Sequence, residues 1–231
     1  MVFDLYLESG PQHKRTWVFV PALPGCVSVG PTTEAAIEGA PAAIRARLEF
    51  LRRHGEPVES RPIDVMVADH VIERDFLGYG QQFFPPDREP LTAAEAADRL
   101  RWAAWSREEF VAAARAVPAP LTLKPATGRS VAAILSHVAG AEWAYVSTTL
   151  GALRGGSALM SAIENAGDHP WEALAAERAA LVDRLAALTP DELSRVVEKG
   201  GRPKWTARRM FRRMLEHEWE HVGELRARIP G

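Results

Sequence analysis

Cysteine and lysine are nearly missing from this sequence. The single cysteine, Cys26, excludes an internal disulfide and makes the reducing cytoplasm the natural compartment. Lysine occurs only at Lys14, Lys124, Lys199 and Lys204, so arginine supplies most of the 28 basic side chains. No basic block invites nucleic acid, no acidic tail is present, and the net charge is only -2. No charge-free apolar run is long enough to span a bilayer. Met1 to Gly10 lacks the basic start and apolar stretch of a signal peptide. The expectation is a soluble cytoplasmic protein with neither nucleic acid nor membrane as partner. What is present is ordinary globular material, 231 residues of which 47% are hydrophobic and 25% charged.

The two halves of the chain have different periodicities. Val2 to Leu7 alternates with a period of two, and Trp17 to Val20 is a second short β-prone run across a polar turn from Ser9 to Arg15. Pro21 to Gly25 breaks the chain. Thr32 or Thr33 then caps a helix that runs to about His54 and stops at Gly55, with apolar residues at Ala36, Ile37, Ala40, Ile44, Leu48 and Leu51. Pro41 predicts a kink in it. Ile63 to Val71 is the third strand. The fold class expected is α+β: a small β-β-α-β domain over residues 1–75, a linker over 76–91, and a helical domain over 92–231.

From Leu91 the strand signal stops. Thr92 with Glu95 forms a capping box for a helix reaching Val117, and Ser106 with Glu109 marks a place where it divides. Further helices are expected from Ser130 to Leu150, from Pro170 to before Pro190, and from Thr206 to Ile229, with a loop over Gly155 to Asp168. Four long helices without strands define an antiparallel four-helix bundle.

Chemistry gathers on three of the seven histidines. His13, His54, His70 and His169 fall in or beside turns and element ends, where solvent is the default environment. His217 and His221 are four apart on the last helix, on the face that carries Met210 and Met214. His137 shares its helix face with Ala133, Ile134, Ala141 and Ala144. Buried neutral imidazoles need partners for both ring nitrogens. One divalent ion would serve all three, and three ligands leave positions open for chemistry. The plainer alternative is hydrogen-bonded core histidines. His217-Glu218-Trp219-Glu220-His221 also fits H-E-x-x-H with Glu218 as a general base, but no histidine follows, and Glu224 is too close to serve as third ligand.

The segments Ile134-Leu135-Ser136-His137-Val138-Ala139-Gly140-Ala141-Glu142-Trp143 and Met214-Leu215-Glu216-His217-Glu218-Trp219-Glu220-His221 resemble the DinB/YfiT-like superfamily over roughly residues 95–229. The resemblance implies a DinB-like four-helix bundle, frequently a homodimer, with zinc, nickel or a similar divalent metal held by His137, His217 and His221. Several members are thiol-dependent S-transferases using bacillithiol, mycothiol or glutathione, and others are hydrolases or isomerases. Val20-Pro21-Ala22-Leu23-Pro24-Gly25-Cys26, then Gly30, Thr32, Glu34 and Ala35, resemble a HicB-like antitoxin domain. Such antitoxins bind a small ribonuclease toxin and often carry a DNA-binding domain, whose place the bundle takes here.

Two functions follow. One is a metal-dependent enzyme, a thiol S-transferase or related hydrolase acting on a small electrophilic molecule, with a low-molecular-weight thiol as cofactor and no catalytic residue assigned beyond the ligands. The other is a binding or regulatory protein whose HicB-like domain engages a protein partner of the toxin-antitoxin type. A purely structural bundle is the third alternative. Trp143, Tyr145 and Trp219 are expected to pack the bundle, and Arg208, Arg209, Arg212 and Arg213 to form a solvated face.

Overall fold

A computed structural model describes residues 1–10, 15–72, 82–199 and 202–230. The chain packs as two units, Met1–Pro90 with Val196–Glu216, and Leu91–Arg195 with His217–Gly231.

The first unit holds strands β1 (Val2–Ser9), β2 (Thr16–Phe19) and β3 (Val27–Gly30), helix α1 (Thr33–Arg53) and strand β4 (Asp64–Ile72). The sheet order is β3-β2-β1-β4, with β4 parallel to β1 and the other pairs antiparallel. The expected β-β-α-β order is corrected to β-β-β-α-β, because Val27–Gly30 adds a strand of only four residues. Register puts Leu7, Val18 and Ser28 side by side. Ser28 donates its hydroxyl to the Ala36 carbonyl at 2.8 Å, so this face of the sheet meets α1. Gly30 is required there, since a Cβ would lie 2.3 Å from the Ala36 nitrogen. The opposite face carries Tyr6, Trp17 and Phe19, closed by Phe84, whose ring centroid is 5.2 Å from Tyr6 and 5.7 Å from Phe19.

Thr32 caps α1 by accepting from the Ala35 amide, and the helix continues through Pro41. The turn before β3 is held from that helix. Arg47, fully buried, donates to the Pro24 carbonyl at 2.9 Å and lies against Gly25, whose φ is +90°. Cys26 is buried beside it, and burial pushes its thiol up to about 12 against the pull of Arg47. It is a packing residue.

The absence of strands after Leu91 is also corrected. A hairpin of β5 (Val197–Lys199) and β6 (Arg202–Trp205) precedes the last helix. Before these come α2 (Ala93–Ala116), α3 (Val131–Leu150), α4 (Gly156–Glu164), α5 (Trp171–Ala186) and α6 (Pro190–Ser194), and α7 (Ala207–Arg226) follows. The stretch expected as a loop over Gly155 to Asp168 contains α4. Its first residue packs so tightly on Trp143 that a Cβ on Gly156 would sit 2.2 Å from the indole nitrogen. Helix α2 does not divide at Ser106, which is fully buried inside it.

The first half of α7 belongs to the first unit. Its arginines do not form a solvated face. Arg209, Arg212 and Arg213 are at most 3% exposed. Arg212 forks onto both oxygens of Asp87 at 2.7 Å and reaches Glu216 at 2.9 Å, and Arg213 joins Glu216 at 3.0 Å. Arg209 stacks over Trp205 at 4.3 Å. Arg208 donates to the carbonyls of Glu89 and Pro90. Burial of the Arg212 guanidinium is tolerable because the forked geometry on Asp87 satisfies it.

In the second unit α2, α3, α5 and the end of α7 share an apolar core including Phe110, Leu135, Val138, Leu174, Val222 and Leu225. Among the described residues no helix is long and apolar enough to cross a membrane.

Candidate metal centre

Helix α3 starts at Ser130, whose hydroxyl accepts from the Ala133 amide, and two turns later presents His137. Helix α7 presents His217 and His221 from one face, as four-residue spacing requires. The three imidazoles converge. His217 Nε2 lies 3.1 Å from His137 Nε2 and 3.3 Å from His221 Nε2. The rings meet edge to face, with centroids 4.7–5.2 Å apart and planes 74–88° from one another. Three nitrogens around a tetrahedral zinc stand about 3.3 Å apart, from Zn–N bonds of about 2.05 Å. The two separations from His217 match that spacing, the three ligand atoms all lie within 4.8 Å of one another, and the three histidines could hold one metal ion.

The donor state also fits, because a ligating imidazole must be neutral. Burial lowers the His137 pKa to about 4, with Arg129 and His221 adding to the effect and Glu224 opposing it. Burial likewise depresses His221 against the pull of Glu224. His217 and His221 are 8% and 9% exposed, and His137 is more open, so the centre faces solvent on the α3 side.

A second layer holds His221. His221 Nδ1–H donates to Glu224 at 2.7 Å, which aims Nε2 at the other two rings. Glu224 accepts in turn from Arg228 Nη2 at 2.6 Å, and Arg228 Nη1 donates to the Arg129 carbonyl at 2.8 Å. Glu224, weighed above only as a ligand, is the group that orients one. Its position three residues after His221 is the signal that could have found it. Tyr145 stands edge-on to His217 at 6.1 Å.

Glu218 is not a free base. Its Oε1 accepts from Arg107 at 2.6 Å and from Arg178 at 2.9 Å. The same guanidiniums bind Glu142, Arg107 by a short bond and Arg178 at 3.0 Å. Glu177 completes this buried group, 3.7 Å from Arg107 and without a hydrogen bond to either oxygen among the described residues. Burial first, then Glu142, raises its pKa to about 8. Arg107 and Arg178 also line a groove of about 520 Å³ between α2 and α5, and none of the three histidines lines it.

The other histidines stay apart. His54 stacks on Phe50 at 4.8 Å, His70 bonds Ser9 at 2.7 Å and His169 is exposed. His13 lies outside the described residues.

A helical unit in which three imidazoles could hold one metal ion is the class of protein that fold and site define. The DinB superfamily model matches residues 103–225, more than half of the chain, and the chain belongs to the DinB superfamily. No curated protein and no solved structure matches it.

Proposed function

We propose that the protein is a metal-dependent enzyme whose His137, His217 and His221 ligate one divalent ion, zinc or nickel, for thiol transfer to a small electrophile or for a related hydrolysis. The observation that carries this is the pair of Nε2 separations, 3.1 Å from His217 to His137 and 3.3 Å from His217 to His221, with His217 and His221 buried and His137 open to solvent. When bound, such an ion supplies Lewis acidity that favours thiolate over thiol, or hydroxide over water, at neutral pH. The chain supplies the rest. Glu224 fixes the tautomer and angle of His221, so that its Nε2 lone pair faces the centre. Three protein ligands leave a tetrahedral position for an incoming molecule. The Arg107–Arg178–Glu142–Glu218 ion pairs hold α7 rigid beside His217. In this reading the helical unit is an antiparallel four-helix bundle able to dimerise, the N-terminal sheet is HicB-like, and the protein is cytoplasmic. The buried, unreactive Cys26 agrees with that compartment.

Elemental analysis of the purified wild type against His137→Ala tests the centre. About one ion per chain is expected, and its loss in the variant. No bound metal under any loading leaves only a structural unit. Thiol transfer to a generic electrophile, with and without metal and in His217→Ala, tests the reaction.

One observation favours a second reading, a binding protein that engages a partner through the sheet. Strand β4 is an edge strand, and its Met66, Val67 and Ile72 are 45–58% exposed. Apolar edges of this kind accept a partner strand. Deletion of activity by His217→Ala, with no protein captured on the sheet, favours the enzyme.

A further inference from the structure

The groove between α2 and α5 has no part in the metal centre, and every residue lining it belongs to the second unit. Its volume of about 520 Å³ falls among those of small-molecule sites. The floor is aliphatic. Val111 stands one turn before Arg115 on α2, and Leu174, Ala175, Ala179 and Val182 follow Trp171 along α5. Leu174 is buried, whereas the other four are half-buried or exposed.

The charged residues of the groove are of two kinds. Arg107 and Arg178 are held in the buried ion pairs with Glu142 and Glu218, and their charges are matched there. Arg115 and Asp183 are exposed, and neither side chain has a hydrogen bond or ion pair among the described residues. They stand at opposite ends. Trp171, beside Arg115, and Asp183 are about 18 Å apart along α5. That exceeds the screening length of about 10 Å, so the two charges act separately.

Of these two, Arg115 is the braced one. Its guanidinium carbon lies 4.3 Å over the Trp171 ring. Stacking occupies the face of the guanidinium and leaves its in-plane N–H donors able to fork onto a carboxylate. The apolar floor begins at the same end, with Val111 and Leu174 about a turn away. A preorganised fork that opens onto an aliphatic trough matches an anion with an apolar body.

We propose that this groove is a second ligand site, which takes a small amphipathic carboxylate of the fatty-acid kind, its carboxylate on Arg115 and its chain along Val111, Ala175, Ala179 and Val182. The inference stands apart from the reading of the three histidines and requires no metal. An amine on the same chain would bring like charge to Arg115, and a guanidinium cannot lose its proton to relieve it.

The test titrates full-length protein with decanoate and with decylamine by calorimetry. The two share the apolar chain and differ in the sign of the head group. Decanoate is expected to bind more tightly. Arg115→Gln should weaken it about tenfold, the size of one charge-assisted contact, and leave decylamine no weaker. Arg115→Lys restores part of the loss, as a point charge without the fork. Ala179→Glu, at an exposed position, fills the trough and should abolish decanoate binding with an unchanged circular dichroism spectrum. Equal affinity for the two compounds makes the groove an unselective apolar surface and overturns the inference. Decanoate binding that survives Arg115→Gln unchanged overturns it as well. So does binding that is lost in His137→Ala instead, which would put the carboxylate at the metal centre. Absence of decanoate binding to the wild type also overturns it, and a dimer in sedimentation that Ala179→Glu splits would then assign the face to a second copy of the chain.

Discussion

The buried group of Arg107, Arg178, Glu142, Glu177 and Glu218 sets three carboxyls against two guanidiniums, all at most 9% exposed. An excess buried charge is costly, so one carboxyl keeps its proton. Burial raises both Glu142 and Glu177, but Glu142 is held by Arg107 and Arg178, whereas Glu177, raised to about 8, has no hydrogen bond to either oxygen among the described residues and is the carboxyl that keeps the proton. In the unfolded chain a glutamate ionises near pH 4.3. Between these values the folded protein holds a proton that the unfolded chain has lost. The resulting stabilisation is complete below the unfolded pKa, declines as pH rises, and is gone above about 8. One proton corresponds to a slope of about 1.4 kcal/mol per pH unit. Glu177→Gln keeps the shape and removes the proton. From pH 5.5 to 7.5 the variant should therefore gain on the wild type by up to about 3 kcal/mol. Urea unfolding of metal-free protein, followed by tryptophan fluorescence at three pH values, measures it. Wild-type and variant stabilities that run parallel with pH would refute the charge count.

Three other perturbations test the structure. Arg212→Met removes the guanidinium from the fully buried Asp87 and leaves Glu216 with Arg213 alone, and should cost about 3–5 kcal/mol, seen as a melting temperature lower by roughly 10 °C in calorimetry. Gly25→Ala places a Cβ 2.6 Å from the Arg47 guanidinium at φ +90°, whereas Gly55→Ala, at φ +89°, meets nothing within 4 Å. The first should lose about 1–3 kcal/mol in chemical denaturation and the second roughly 1, and equal losses would show that Arg47 does not brace the turn. Glu224→Gln should weaken zinc binding about 10- to 100-fold in competition with a chelator, and unchanged affinity would reduce Glu224 to a partner of Arg228.

The histidines were legible in part. Four-residue spacing alone puts His217 and His221 on one helix face, and the apolar neighbours Met210 and Met214 say which face it is. That His137 meets them is a tertiary fact, 80 residues away in sequence. The resemblance carried it, and no periodicity could. Helix α1 was legible because cap, apolar spacing and stop agree. Strand β3 was not, since Val27-Ser28-Val29-Gly30 is too short for alternation to register. Nor was β6, which carries Arg202 and Pro203 where a strand would show β-branched residues. Helix α4 opens on glycine, which signals a loop until Trp143 is seen packed on it. The arginines of α7 misled for a physical reason. Charge ordinarily marks a solvated face, and the carboxylate that overrides this, Asp87, lies 125 residues before Arg212.

Gene-level modularity and structural modularity part company along α7. The family match begins at residue 103, which invites cutting the chain into an N-terminal module and a self-sufficient remainder. Yet the ten residues Ala207–Glu216 are counted with the sheet unit, while His217 onward is counted with the helices. A chain begun after Pro90 keeps every ligand histidine but forfeits Asp87 and the Phe19 and Phe84 rings that lie under Arg212. The excised helical piece would then carry orphaned guanidiniums one helical turn from His217, and its metal affinity would report the surgery as much as the site.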